Sequence, residues 1–419
     1  MNLYLINAND SGNEYGIGTY FKELTHSLKD ANIHVCIIHL HSDRPEFIIE
    51  KVRQSSSNRY VENWYIPEVR NIRTFTGSIP KLEDYCRNVA YLLRLHIKDT
   101  TDLVFHFNYN HYHFLAKELK IIFNCKTIHT IHFITWALTL QGNLTRLHAL
   151  KKKPENQRTT AEQSLFNTDD YEILLYKEVD HIIALSRHTH NHLCSEYKID
   201  SEKITVIPNG LEDKRPLLDS NKTVLRRKWR IRENEFVILF SGRLHAAKGI
   251  GYLIRAFRQV LTKNPDCRLI IAGNGDFDIF LKECDDLWTH VTWTGRIYKD
   301  KLSELYTIAD IGILPSLTEQ CSYVAIEMMK YGVPLIASDC SGLSEMVADS
   351  ITGLHIPVIE YNDRIEINTD LLAGKMLYLL QHPDERKRLG ANARKRYETV
   401  YSAEIFRQNM LEFYSSLFL

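Results

Sequence analysis

Two carboxylates with seven residues between them, Glu319 and Glu327, form the sharpest chemical pattern in the sequence. Glu319 follows the apolar run 311–314 and precedes an apolar helix predicted over 323–331. It therefore belongs in the loop at the carboxyl end of a strand, and Glu327 lies about one turn inside the helix. Open α/β sheets bind ligands outside the carboxyl ends of their strands, so both acids can face a ligand there.

A carboxylate on this helix suits the vicinal hydroxyls of a ribose, because each ionised oxygen accepts hydrogen bonds and supplies no competing donor. We assign this role to Glu327. The first backbone amides of the helix, at Ser322, Tyr323 and Val324, form a helix N-terminus that suits phosphate. By spacing alone, an amphipathic helix with one exposed acid and an unrelated loop acid would give the same pattern.

Two cations follow the first strand predicted in the second half of the chain, over 236–240. Arg243 comes directly after this strand, and Lys248 precedes a helix predicted over 250–261. Arginine binds phosphate through two parallel hydrogen bonds and lysine adds a point charge, so the pair can neutralise a diphosphate without a metal. The glycine spacing is not that of a Walker loop, and two surface cations in a loop remain the alternative.

Glycines follow two neighbouring strands of this second half. Gly242 comes after the strand at 236–240, and Gly273 and Gly275 come after a strand predicted over 268–272. Since glycine has no Cβ, backbone at these positions can approach a flat base or a sugar closely. Taken alone, each of these glycine-containing segments predicts a turn and not a ligand site.

The first half carries weaker signals. Gly16 and Gly18 open a helix after a long loop, but Phe21 stands where a dinucleotide-binding fingerprint needs its third glycine, so we predict a close-approach loop. His132 ends a strand predicted over 127–132, where an imidazole can donate a hydrogen bond to a substrate hydroxyl. A structural histidine is the alternative at that position.

Short apolar runs alternate with longer amphipathic segments in both halves, which predicts strands and crossover helices on two mostly parallel sheets. The turn at 208–210 and the polar stretch 212–222 place a hinge between the halves. Besides the elements named above, the predicted strands are 3–7, 35–39, 103–107, 181–184, 205–207, 291–293 and 334–338, and the predicted helices of the first half are 19–29 and 171–178.

Composition restricts the partners. The chain has 419 residues with 52 Lys and Arg against 52 Asp and Glu, so its formal charge is zero and whole-chain attraction to nucleic acid is excluded. The eight cysteines form no Cys-x-x-Cys pair, and no apolar run or leader is long enough for a membrane span or a signal. We expect a cytoplasmic protein without a bound metal. The basic segment 146–160 is either a solvated insertion or a weak contact with an anionic acceptor or the inner membrane surface.

Taken in order, these motifs resemble glycosyltransferase family 4. The shared signs are the glycines at 16 and 18, His132, the Val-Ile-Pro-Asn-Gly run at 206–210, Gly242-Arg243 with Lys248-Gly249, Gly273-x-Gly275, and Glu319-x7-Glu327. The resemblance implies the α/β GT-B fold, with two Rossmann-like domains facing across a cleft and a C-terminal helix that crosses back to the N-terminal domain. The domains would be 1–208 on the acceptor side, 209–398 for the donor, and 399–419 as the returning helix.

The same resemblance implies a retaining transfer of a sugar from a nucleoside diphosphate sugar to a glycan, lipid-linked or protein acceptor. A UDP-sugar is favoured, a GDP-sugar comes next, and no cofactor is required. Arg243, Lys248, Glu319 and His132 would be the catalytic residues, with Glu319 contacting the donor sugar and His132 reaching it from the other domain. Gly16 and Gly18 would line the donor and acceptor side. The alternatives are a nucleotide-sugar epimerase, a sugar phosphorylase or a non-catalytic scaffold with this fold.

Overall fold

The computed structural model describes residues 1–8, 16–53, 60–68, 79–214 and 222–418. Tyr15, which precedes the first glycine of the predicted loop, and residues 215–221 of the predicted hinge lie outside the described residues. The chain forms two compact units. Unit 1 contains Met1–Thr135, Arg158–Gly210 and Ala403–Leu419, and unit 2 contains Trp136–Gln157 and Leu211–Ser402.

The sheet of unit 1 has eight strands among the described residues. All are parallel except β3, which pairs antiparallel with β4 at one edge. The inner strands are buried on both faces, and all five residues of β5 are buried, as expected for a parallel sheet covered by helices. The spatial order is β3-β4-β2-β1-β5-β6-β7-β8, and the strands are β1 Asn2–Ala8, β2 His34–Ser42, β3 Ile48–Arg53, β4 Tyr60–Pro67, β5 Leu103–Phe107, β6 Cys125–Ile131, β7 His181–Ala184 and β8 Ile204–Val206.

In the described part of unit 2, the sheet has seven strands with β9 near its centre. Its only antiparallel pair among the described strands is β14 with β15. The spatial order is β11-β10-β9-β12-β13-β14-β15, and the strands are β9 Phe236–Ser241, β10 Cys267–Ala272, β11 Val291–Gly295, β12 Ile311–Leu314, β13 Leu335–Asp339, β14 Gly353–Glu360 and β15 Ile365–Ile367. Because β10, β9 and β12 are neighbours, the loops after these three strands lie side by side.

Helices connect the strands of both sheets. A capping box at Thr159 and Glu162 begins α6, so this helix is longer than the predicted 171–178. The α-helices are α1 Gly16–Ser27, α2 Ile79–His96, α3 His113–Ile122, α4 Thr135–Thr139, α5 Leu144–Lys151, α6 Thr160–Glu178, α7 Arg187–Glu196, α8 Lys222–Lys228, α9 Ile250–Lys263, α10 Phe277–Glu283, α11 Lys299–Ile308, α12 Tyr323–Lys330, α13 Ser341–Met346, α14 Thr369–Gln381, α15 Pro383–Arg396 and α16 Ala403–Ser416. In the described ranges, none of them combines the length and apolar character that a membrane crossing requires.

The final helix α16 belongs to unit 1, as the resemblance implied. The Tyr414 hydroxyl lies 2.7 Å from Nδ1 of the fully buried His106, and the Phe406 ring packs edge-on against Tyr20 at 5.7 Å. This helix begins at Ala403, a few residues after the predicted start at 399.

The segment 136–157 differs from the prediction, which placed it in the first domain. In the structure it is part of unit 2. Asn143 is fully buried and its Nδ2 donates to the backbone carbonyls of Tyr361 (2.8 Å) and Arg364 (2.7 Å), in the turn between β14 and β15. The Thr145 amide donates to Glu360 at 2.8 Å. These hydrogen bonds fix the segment to unit 2.

Candidate active site

The loops after β9 and β10 continue their pairing beyond the strands. The Gly242 amide donates to the Ala272 carbonyl (2.9 Å), and the Leu244 amide donates to the Asn274 carbonyl (2.8 Å). At Gly273 a Cβ would stand 1.7 Å from the Gly242 carbonyl oxygen, so only glycine permits this contact. Gly273 therefore has to be glycine because the neighbouring loop occupies the space of a side chain. The sequence pattern had instead suggested the close approach of a ligand to this glycine.

Lys248 and Glu319 meet at this edge of unit 2. The Lys248 ammonium forms an ion pair with Glu319 Oε1, and the two side chains are 25% and 16% exposed. The pairing follows from the backbone, because the Leu317 amide donates to the Ala247 carbonyl at 2.8 Å and joins the loop after β12 to the turn that ends at Lys248. The structure thus brings together two of the residues that the sequence nominated from segments 71 positions apart.

Gly249 makes this contact possible. Its φ is +69°, and a Cβ there would lie 1.8 Å from the Pro315 carbonyl oxygen. Left-handed backbone and close approach both require glycine at this position. The turn that carries Lys248 can therefore lie directly against the loop that carries Glu319.

Glu327 lies on α12, and its carboxylate is held by a side chain that sequence analysis missed. The Tyr306 hydroxyl, from α11, donates to Glu327 Oε2 at 2.7 Å. Burial raises the pKa of Glu327 above its usual range, while the Tyr306 hydrogen bond and the charges of Lys299 and Lys330 oppose that rise. The sequence offered one signal for Tyr306, an aromatic residue on the helix that precedes β12.

Ser241, the buried last residue of β9, lies close to the Tyr306 phenol. Burial and the charge of Glu327 raise the pKa of Tyr306, while Ser241 lowers it. Tyr306 and Glu327 therefore lie near the end of the strand that continues into Gly242 and Arg243. The residues nominated for a ribose and those nominated for a diphosphate consequently share one edge of the sheet.

Positive charge concentrates around His245. Partial desolvation lowers the pKa of this imidazole, and the charges of Arg243 and Lys248 lower it further, while Asp276 opposes them. Both cations therefore lie close enough to His245 to act on it. The exposed Arg243 and the half-buried Lys248 supply the charge that an anionic ligand would need.

The start of α12 corrects one assignment. Ser322 caps the helix by accepting from the Ala325 amide at 3.4 Å, and its own amide donates to Met346 Sδ at 3.1 Å. The Ser322 amide is thus occupied, contrary to the prediction that it would bind phosphate. For the amides of Tyr323 and Val324, in the first turn of α12, phosphate binding stays a prediction.

In unit 1, His132 lies one residue beyond β6 and is partly buried. Its Nε2 is 2.9 Å from Asn108 Oδ1, and its ring packs edge-on against Tyr20 at 4.6 Å. Burial lowers the pKa of His132 to about 3, with a smaller contribution from His129, so the ring is neutral. Because an amide oxygen only accepts, Nε2 carries the proton, and Nδ1 would accept from a hydroxyl where the sequence suggested donation.

Gly16 and Gly18 form the first turn of α1, Gly16 exposed and Gly18 partly buried. Gly275 pairs with Leu244 in the ladder between the two loops of unit 2. In the described part of the chain, no three histidine, cysteine, aspartate or glutamate side chains are grouped as a metal site requires.

Solved structures share this two-sheet architecture. Sucrose-phosphate synthase from Thermosynechococcus elongatus aligns over 100% of this chain and 99% of its own, with a TM-score of 0.75 and 21% identity. Anabaena HepE, solved with UDP and glucose, aligns over 100% of both chains with a TM-score of 0.71 and 17% identity. At these identities the likeness defines the class of fold alone, and that class is GT-B.

Two family profiles match consecutive parts of the chain. The profile "Glycosyltransferase Family 4" matches residues 15–215, and "Glycosyl transferases group 1" matches residues 221–396. The chain belongs to glycosyltransferase family 4.

Two relatives illustrate the level of sequence similarity. An uncharacterized glycosyltransferase of Methanocaldococcus jannaschii is 34% identical over 181 residues, which are 42% of this chain and 46% of the relative. A GDP-mannose-dependent monoacylated alpha-(1-6)-phosphatidylinositol monomannoside mannosyltransferase of Corynebacterium glutamicum is 30% identical over 244 residues, 56% of this chain and 61% of the relative. The chain spans about half the length of the curated relatives that it matches.

Proposed function

We propose that this protein is a retaining glycosyltransferase that moves a sugar from a nucleoside diphosphate sugar to a glycan, lipid-linked or protein acceptor. The observation that carries the proposal is the meeting of Lys248 with Glu319 at the same sheet edge where Tyr306 holds Glu327. Family membership supports the reaction class. The geometry supports the division of labour among these residues.

Arg243 and Lys248 are proposed to bind the diphosphate. As the bond to the sugar breaks, negative charge grows on the departing diphosphate and positive charge grows on the sugar ring. Cations fixed before the reaction stabilise that leaving group without reorganisation, and loss of one such group costs about 10²-fold in turnover, or roughly 3 kcal/mol. The first amides of α12, at Tyr323 and Val324, add hydrogen bonds to the same anion. These groups carry the role without a metal ion.

Glu327 is proposed to accept hydrogen bonds from the ribose hydroxyls, and Glu319 to contact the donor sugar. The ion pair with Lys248 fixes the Glu319 carboxylate beside the proposed phosphate ligand. Neutral His132 is proposed as a further contact of the donor sugar, with Nδ1 as the acceptor. For retention, a phosphate oxygen of the leaving group would take the proton of the acceptor hydroxyl on the same face of the sugar.

The base of the donor is proposed to be uracil, with guanine next. Anabaena HepE was solved with UDP-glucose, and the Corynebacterium relative is described as GDP-mannose-dependent. A thermal-shift panel of uridine, guanosine and adenosine diphosphate sugars selects between these bases. Nucleotide-release assays on the sugars that bind, run with and without EDTA, then test turnover and its independence from a metal.

The proposal has a direct test at Glu327. Glu327→Ala should reduce the thermal stabilisation that a nucleotide gives, because the ribose hydroxyls lose their acceptor. Equal stabilisation of the wild type and this variant would contradict the proposed site. Product analysis without an acceptor separates transfer from the alternative of epimerisation, since an epimerase would convert the donor alone.

A further inference from the structure

Tyr306 is buried, with 3% of its surface exposed, and its hydroxyl is engaged by a charged partner. It donates to Glu327 Oε2 at 2.7 Å. Among the described residues, Glu327 Oε1 has no hydrogen-bond donor, and the Glu327 side chain is partly exposed. One carboxylate oxygen is thus held from inside the protein and the other is left for a ligand.

The contact between Tyr306 and Glu327 joins two helices. Tyr306 lies in the last turns of α11, and Glu327 lies in the middle of α12. The Tyr306 ring also packs against the Tyr331 ring at 5.4 Å. A side chain whose rotamer is set by packing and by a hydrogen bond can hold a carboxylate in one orientation.

We propose that Tyr306 is a positioning residue that orients the Glu327 carboxylate for the two hydroxyls of a nucleotide ribose. The inference rests on the proposed function, because it assumes that Glu327 contacts a ribose. Beyond that function, nucleotide binding also requires Tyr306, a buried residue that does not itself contact the ligand.

The phenol also favours the ionised form of Glu327. Burial favours the protonated carboxyl, and a protonated Glu327 would offer a donor where the ribose needs an acceptor. The groups that face this carboxyl are Tyr306 and Lys299 on α11 and Lys330 on its own helix, and all three favour the charged form. Loss of the Tyr306 hydroxyl therefore raises the pKa of Glu327 further.

The test compares Tyr306→Phe and Glu327→Gln with the wild type by calorimetric titration of UDP and GDP and of their 2′,3′-dideoxy forms. Tyr306→Phe should weaken binding of the better ribonucleotide about tenfold, the loss expected for a hydrogen bond to a charged group. Its affinity for the dideoxynucleotide should equal that of the wild type. The pH midpoint below which ribonucleotide binding is lost should move upward in Tyr306→Phe.

Tyr252→Phe is the matched control, because the Tyr252 hydroxyl donates to the Ile365 carbonyl at 2.9 Å in the same unit and not to Glu327. It should bind both nucleotides like the wild type.

The outcomes distinguish the proposed ribose contact of Glu327 from the proposed role of Tyr306. Unchanged ribonucleotide affinity in Glu327→Gln would overturn the ribose contact, and with it the proposed site. A loss in Glu327→Gln combined with wild-type affinity and an unshifted pH midpoint in Tyr306→Phe would overturn the role of Tyr306 alone. An equal loss for ribonucleotide and dideoxynucleotide in Tyr306→Phe would show general damage to the site and would also overturn the role of Tyr306.

Discussion

The ammonium of Lys248 and the carboxylate of Glu319 form an ion pair that joins the loop after β9 to the loop after β12. Both side chains are more than half buried, so each charge depends on the other for stabilisation. A proposed ligand phosphate would join a pair that is already in place. Catalysis at this edge then needs little rearrangement of either loop.

Replacement of the cation tests this relationship. Lys248→Gln should lower nucleotide release about 10²-fold, roughly 3 kcal/mol in the barrier, because the departing diphosphate loses a fixed positive charge. Steady-state nucleotide release measures the effect. Lys263→Gln, at the exposed end of α9, removes the same charge away from the site and should leave turnover unchanged. Turnover of Lys248→Gln within a factor of two of the wild type would contradict the proposed role.

The backbone contact at Gly249 gives a second prediction. Gly249→Ala should reduce both turnover and the free energy of unfolding, the latter by about 1–3 kcal/mol, since a Cβ cannot fit against the Pro315 carbonyl at this φ. Gly374→Ala is the matched control, because a Cβ at this position in α14 meets nothing within 4 Å. It should raise stability by about 0.5–1 kcal/mol, the usual gain for alanine over glycine in a helix.

The anchor of segment 136–157 gives a third prediction. Asn143→Asp keeps the oxygen that accepts from the Arg146 amide at 2.8 Å but replaces the donors to the Tyr361 and Arg364 carbonyls with a buried charge. Unfolding in urea should show a loss of at least about 1–3 kcal/mol. Asn264→Asp retains the only bond of its side chain among the described residues, an acceptor from the Asp266 amide at 2.9 Å, and should be nearly neutral. Equal stability of the two variants would refute the anchoring role.

Buried imidazoles give unit 1 a dependence on pH. Burial lowers the pKa to about 4 in His41 and His113 and to about 3 in His129 and His132. These groups are neutral when folded but protonate below about 6.5 when unfolded, so stability is complete above that pH and falls as the pH drops toward the folded values. Each of these imidazoles lowers the free energy of unfolding by about 1.4 kcal/mol for each pH unit below about 6.5, until its folded pKa is reached. Glu172, whose pKa burial raises to about 7, acts in the opposite sense between about 4.5 and 7 and offsets part of the loss.

Urea unfolding at pH 7.5, 6.5 and 5.5 measures this slope. His113→Phe should make the decline shallower, because phenylalanine keeps the ring packing against Tyr171 and cannot be protonated. Replacement of the exposed His188 by phenylalanine should leave the slope unchanged. A wild type equally stable at all three pH values would show that the imidazoles are protonated at little cost in the folded state.

Much of the fold was predictable because fully buried strands leave an unmistakable apolar run. The bounds predicted for β5, β7 and β12 agree with the structure, and all but one of their residues are buried. The strands β3 and β4 were missed, since β3 is an edge strand with most of its residues exposed and its sequence mixes charges with aliphatic residues. A half-exposed strand lacks the signal on which the prediction depended.

The placement of Lys248 and Glu319 at one edge of the sheet followed from the rule that ligand-binding loops lie at the carboxyl ends of parallel strands, but their ion pair was not predicted. Tyr306 could not be found in this way, because its partner Glu327 is 21 residues further along and on another helix. The Ser322 amide was misassigned because Met346, which accepts its hydrogen bond, comes 24 residues later. The anchor of segment 136–157 uses backbone carbonyls, which no side-chain pattern reveals.

The path of the chain between the two sheets restricts how this protein can be recombined with its relatives. The polypeptide changes unit after residues 135, 157, 210 and 402, so neither unit is one uninterrupted stretch. In a hybrid joined at the single turn near 208, Asn143 would meet the β14–β15 turn of the relative in place of its own. His106 would likewise meet the relative's residue at position 414 in place of Tyr414. Functional chimaeras should instead transfer segment 136–157 together with the sheet of unit 2, and should keep α16 together with the sheet of unit 1.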